Sequence, residues 1–147
     1  MTGASRAILG CDYGGRRTGL AVCPAGVGVA LGIETVEANT PEEAARRVAA
    51  VAVEREAGEI VVGLPLTSRG ERGEQARATE VFVEALRRHF AGPIHLWDER
   101  LTSVQSERAM TEMGDGRRGR KGQVDRMAAT LLLQSYLDSR PGRSPSE

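Results

Sequence analysis

The stretch Ile8–Val22 constrains this chain more than any other. Two apolar runs, Ala7–Cys11 and Leu20–Cys23, flank a short segment rich in glycine. That pattern predicts a β-hairpin. The first run leads into Asp12, at the point where a strand leaves the sheet. A carboxylate there is held by a rigid strand yet faces solvent, which suits a metal or phosphate site. Aspartate near glycine is also ordinary turn chemistry, so the hairpin alone leaves both roles open.

A chain of 147 residues is long enough for one domain with a sizeable core, expected over residues 1–138. Hydrophobic residues make up 40% and the formal net charge is zero, which excludes a disordered or globally basic chain. No apolar run approaches a membrane span and the N-terminus lacks the apolar centre of a signal peptide, so the expected compartment is the cytoplasm, with no membrane partner. Aromatics are only 3% of the chain, which argues against stacking bases on several aromatic platforms. The basic residues are nineteen arginines and a single lysine, Lys121, and that skew directs attention to its surroundings. A hairpin turning near Gly14–Arg16 makes facing positions sum to about thirty. Cys11 and Cys23 then lie four residues of strand apart, about 13 Å, too far for a disulfide.

Further along, Pro24-Ala25-Gly26 turns the chain into a third strand over 27–36, completing an antiparallel meander. Thr40-Pro41-Glu42-Glu43 announces a helix with an N-cap, a first-turn proline and a capping-box glutamate. Its stripe is Ala44, Ala45, Val48, Val51 and Ala52, and Gly58 is expected to end it. The apolar run 59–64 reads as a strand covered on both faces, stopped by Pro65. A polar, mobile loop over 66–74 precedes a second helix with Ala76, Thr79, Val83, Leu86 and Phe90 on one side. Residues 94–97 alternate as a strand that runs into Asp98-Glu99-Arg100. A third helix is expected over 102–113, then a glycine-rich basic loop with Arg117, Arg118, Arg120 and Lys121. The last helix, about 123–138, carries Val124, Ala128, Leu131, Leu132 and Ser135 inward, and 139–147 is expected to be a disordered tail. The order β-β-β-α-β-α-β-α-α predicts an α/β fold: a mixed five-stranded sheet with helices on both faces. It is the order of the ribonuclease H-like fold.

Three acidic positions then stand out. Asp12 closes the first strand, Asp98-Glu99 closes the last, and Asp125 falls in the first turn expected for the final helix. Right-handed crossovers make the first, fourth and fifth strands parallel, so both strand-end sites share the edge where open α/β sheets place their ligands. Converging carboxylates without lysine or histidine make a poor acid–base pair but a good nest for Mg²⁺ or Mn²⁺. Such ions activate water for phosphodiester hydrolysis. Each piece also has a plainer role: Asp125 as a helix-start acid, Asp98 with Arg100 as a surface ion pair, and the basic loop as a solvated segment. Cations beside an acidic cluster are where a nucleic-acid backbone would lie. His89 and His95 read as non-catalytic, and Cys11 in mid-strand as no nucleophile.

Gly10-Cys11-Asp12-Tyr13-Gly14 followed by Arg17-Thr18-Gly19-Leu20-Ala21-Val22 resembles the opening motif of the YqgF family, also called RuvX. Ile60–Leu66, the block Asp98-Glu99-Arg100-Leu101-Thr102, and Lys121-Gly122-Gln123-Val124-Asp125 with Ala128-Ala129 continue the match over roughly residues 7 to 138. The opening motif alone is shared with sugar-kinase and actin-like ATPases, which need two such domains around a cleft. The four blocks together are specific. The resemblance implies a ribonuclease H-like nuclease that hydrolyses phosphodiester bonds with Mg²⁺ or Mn²⁺ and matures the 5′ end of precursor 16S rRNA. It carries catalytic and metal-binding roles onto Asp12, Glu99 and Asp125. Asp98 is the alternative ligand; Glu99 is favoured because Asp98 shares the parity of Ile94 and Leu96. Arg17, Arg100, Arg117, Arg118, Arg120 and Lys121 are the expected nucleic-acid contacts. The loop at Thr67-Ser68-Arg69-Gly70 and Arg126 after Asp125 depart from the family pattern. A DNA junction resolvase acting in recombination, and a non-catalytic nucleic-acid-binding module, remain the alternatives.

Overall fold

The computed structural model describes residues 6–101 and 121–140. Strands β1 (Ala7–Tyr13), β2 (Arg17–Cys23) and β3 (Leu31–Glu37) form the meander. Helix α1 (Pro41–Glu54), strand β4 (Ala57–Leu64), helix α2 (Glu74–Arg87) and strand β5 (Ile94–Asp98) follow. A single 3₁₀ turn, Glu99–Leu101, and helix α3 (Lys121–Asp138) complete the described elements. The third helix expected over 102–113 and the basic positions Arg117, Arg118 and Arg120 lie outside the described residues, as do 141–147 of the expected tail.

The five strands are ordered β3-β2-β1-β4-β5. β1 is antiparallel to β2 and parallel to β4, and β4 is parallel to β5. On one face Leu9, Cys11, Leu20, Val36, Ile60 and Val62 pack against α1 and α2 through Ala45, Val48, Ala52, Phe82 and Leu86. On the other, Ile8, Ala21, Cys23 and Val61 pack against Ala129, Leu133 and Leu137 of α3. These two layers are the expected mixed sheet with helices on both faces. No helix among the described residues is long and apolar enough to cross a membrane.

Several local expectations shift. The hairpin register pairs Cys11 with Leu20 and Asp12 with Gly19, so facing positions sum to 31 rather than thirty. Gly15 at φ +86° takes the first place of a two-residue loop, and Gly14 N–H donates to Arg17 C=O at 2.9 Å, the pattern of a type II′ turn. This register puts the two cysteines on opposite faces, Cys11 toward α1 and α2 and Cys23 toward α3; both are free thiols. Burial pushes the Cys11 thiol far above its ordinary range.

Helix α1 starts as its sequence dictates, with Glu43 N–H donating to Thr40 Oγ1. It ends earlier than expected, at Glu54, and Glu56 takes the left-handed position at φ 58°. Gly58 lies inside β4 instead, where a Cβ would meet the Arg6 side chain at 2.7 Å. Phe90 lies beyond the end of α2 yet packs on the core, and Phe82 and Ala85 join the buried side of α2. The loop expected to be mobile contains a hydrogen-bonded turn, with Thr67 N–H donating to Glu71 C=O and Gly70 N–H to Thr67 C=O. In α3, Leu131 and Ser135 are only half-buried, and Ala129, Leu133 and Leu137 take the inward positions. The helix bears on several strands at once, so its buried face is wider than a single stripe.

Candidate active site

Side chains alternate between faces along each strand, so the α3 face carries Ile8, Gly10 and Asp12 of β1 and Gly19 and Ala21 of β2. Asp12 ends the central strand of the sheet and is 3% exposed, with Gly19 as its cross-strand partner. On its other side, Gly63 of β4 is one step beyond the Cys11–Val62 pair. Asp12 therefore has a glycine on each side.

Those two glycines are where the other acids arrive. A Cβ at Gly63 would stand 2.6 Å from Oε2 of Glu99 and 3.0 Å from its Cγ. A Cβ at Gly19 would stand 2.0 Å from the backbone oxygen of Asp125 and 3.0 Å from its Cβ. Glu99 and Asp125 thus come down over the strands flanking Asp12, at one end and on one face of the sheet. A lone glycine in an apolar strand signals such close approach. The sequence contained that signal at Gly63, but it did not say what would approach.

Glu99 is 4% exposed. Burial, with the charge of Asp98 adding to it, pushes its carboxyl up to about 7. Asp98 faces the other way and is committed elsewhere. Its Oδ1 accepts from the Arg100 N–H at 2.9 Å and its Oδ2 from Arg100 Nη2 at 2.8 Å. Those bonds hold the Asp98 carboxyl below its usual range. The Arg100 guanidinium also rests on the 66–73 loop, with Nη1 3.1 Å from where a Gly70 Cβ would be. Arg100, expected to touch nucleic acid, is thus engaged within the chain.

Asp125 is the fifth residue of α3, because the helix starts at Lys121 rather than near Gln123, and no acidic residue lies in its first turn. That corrects the first-turn position expected for Asp125 and removes the helix-dipole account of it, since the dipole's effect fades beyond the first turn. Its Oδ2 accepts from Arg17 Nε at 2.8 Å. Among the described residues no three His, Cys, Asp or Glu side chains stand together at metal-holding spacing. The Asp125 carboxylate is turned onto the Arg17 guanidinium. Both histidines pair with glutamates, His89 with Glu42 and His95 with Glu59.

The fit at Gly19 leads to one expectation. Gly19→Ala forces Cβ into a backbone oxygen, which no rotamer change relieves, so α3 must lift from β2. Overpacking of this kind costs about 1–3 kcal/mol, readable as a lower urea midpoint. An unchanged midpoint would mean that α3 does not rest on Gly19.

Residues 6–139 match the family described as RuvX: Holliday junction resolvase. A candidate pre-16S rRNA nuclease of Chloroflexus aggregans is 43% identical over 133 residues, covering 90% of this chain and 94% of that protein. One from Thermoanaerobacter pseudethanolicus is 38% identical over 137 residues, covering 92% and 99%. Among solved structures, T. thermophilus RuvC in complex with Holliday junction substrate is similar in fold, with a TM-score of 0.58 at 16% identity over 90% of this chain and 95% of that one. With a family match over nearly its whole length and relatives this similar end to end, the chain belongs to the RuvX family.

Proposed function

We propose that this chain is a divalent-metal-dependent nuclease that hydrolyses phosphodiester bonds of RNA, with the 5′ end of precursor 16S rRNA as its substrate and ribosome maturation in the cytoplasm as its setting. The observation that carries the reading is the approach of Glu99 and Asp125 over the two glycines that flank Asp12. The names of the relatives support RNA.

The residues fit a hard cation. All three donors are carboxylate oxygens, the ligand type that Mg²⁺ and Mn²⁺ favour. Two of the three, Asp12 and Glu99, are buried. When bound at Asp12, Glu99 and Asp125, Mg²⁺ or Mn²⁺ would supply an activated water and charge stabilisation at the leaving oxygen. Asp12 fixes the centre of the site, because its strand is hydrogen-bonded on both sides. Glu99 reaches in from a turn beyond β5, two strands away, which calls for the longer side chain. Asp98 orients that turn by holding Arg100. Arg117, Arg118, Arg120 and Lys121 precede Asp125 in the chain and grip the RNA backbone, contacts that position a substrate without reading its sequence.

The test is cleavage of matched substrates: a precursor-rRNA leader fragment, single-stranded DNA and a four-way DNA junction, each with Mg²⁺, Mn²⁺ or chelator. Cleavage of the leader that stops in chelator is the expected result. Cleavage of the junction in preference to RNA would favour the second reading, a DNA resolvase, which the family description suggests. Equal cleavage in chelator would overturn the role of the metal.

A further inference from the structure

Arg17 is the first residue of β2 and shares the α3 face with Gly19, two positions on. Its Nε donates to Asp125 Oδ2 at 2.8 Å, with the Arg17 side chain 37% exposed and that of Asp125 14% exposed. The contact joins residues 108 apart in the chain, so only the docking of α3 on β2 creates it. The guanidinium supplies positive charge to the Asp125 carboxylate, whose residue docks over Gly19 beside Asp12. Arg17 also has Glu37 as its cross-strand partner on β3. A guanidinium that leaves Asp125 therefore has another carboxylate within its own strand pair.

We propose that Arg17 is the stand-in cation of this site: it holds the Asp125 carboxylate in place while no divalent ion is bound, and releases it when one binds. This rests on the reading of Asp125 as a metal ligand and makes Arg17 a positioning residue. A charge-assisted pair through one nitrogen is strong enough to fix the rotamer of Asp125. Being partly exposed, it is also weak enough to exchange. Arginine suits this role because its charge is permanent across the working pH range. Metal affinity is then set partly by the cost of breaking the pair, a competition that substitution of Arg17 removes.

The test measures Mn²⁺ binding by calorimetry and by the EPR signal of free Mn²⁺, on the full chain without nucleic acid. Arg17→Gln is expected to bind Mn²⁺ about fivefold more tightly than the parent, about 1 kcal/mol at 1.4 kcal/mol per tenfold. It is also expected to melt at a lower temperature in chelator, where α3 loses a tie to β2. Arg17→Lys, which keeps the charge but not the Nε donor, is expected to fall between the two. In an Asp125→Asn background the Arg17→Gln effect on affinity should vanish. Mn²⁺ affinity that is unchanged or weaker in both Arg17 variants would overturn the stand-in role and leave the metal reading intact. A parent that binds no Mn²⁺ would overturn both.

Discussion

Asp12→Asn is expected to lower nuclease activity by at least about 10²–10³-fold, the scale on which one preorganised electrostatic group matters in an active site, while leaving the fold in place. The change keeps volume almost constant and removes a charge from a buried position. The strand that carries it is anchored independently by Leu9 and Cys11 in one core and Ile8 in the other. Gly19 and Gly63 on either side of Asp12 are where Asp125 and Glu99 approach the sheet. Loss of the Asp12 charge is therefore expected to act on chemistry and cation binding, not on packing. Far-UV circular dichroism and the urea midpoint in chelator should match or exceed the parent's. An Asp12→Asn variant that cleaves at the parent rate would reduce Asp12 to a turn residue.

Glu99→Gln is expected to stabilise the metal-free protein at alkaline pH and to cripple catalysis. Its carboxyl lies at about 7 in the folded chain against an ordinary 4.5, so folding favours the protonated form. Below about pH 4.5 Glu99 is protonated whether folded or not, and it imposes no penalty. Between 4.5 and 7 the folded state holds the proton longer, so stability falls as pH rises, by up to ~1.4 kcal/mol per unit of separation. Above 7 the full cost of a buried charge is present, on the order of 3 kcal/mol. Glutamine carries no such charge. The variant's gain in melting temperature in chelator should be largest at pH 8 and absent at pH 4. Mn²⁺ should raise the parent's melting temperature more than the variant's, reversing the order. A Glu99→Gln protein less stable than the parent at pH 8 in chelator would mean that Glu99 is a satisfied structural acid.

Particular residues show how far the sequence could be read. Thr40-Pro41-Glu42-Glu43 specified the start of α1 because capping is a matter of a few adjacent groups. The hairpin at Gly14 and Gly15 was legible for the same reason, but its register was off by one. Gly14 is itself paired with Arg17, so the turn centres between Gly15 and Arg16. A one-residue slip exchanges the faces of a strand, and it is why the two cysteines belong to different cores. Gly58 reads as a helix stop in the sequence, yet it lies inside β4, because glycine serves both left-handed turns and close packing. Only the neighbouring Arg6 side chain shows which use applies.

For the site the division is similar. The acids at the ends of β1 and β5 were visible as the places where apolar runs stop. The parity of Asp98 with Leu96 already separated it from Glu99, because alternation along a strand is a local property. What the sequence by itself determined was the order of elements and the parallel and antiparallel pairings that follow from it. Tertiary structure alone decided that α3 lies across β2 and β1, that Asp125 rests on Gly19, and that Arg17 takes hold of it. Those contacts join residues about a hundred positions apart, and a pairing between distant side chains leaves no periodic trace in either neighbourhood. It depends on how closely two backbones approach, which the absence of a Cβ at Gly19 and Gly63 permits.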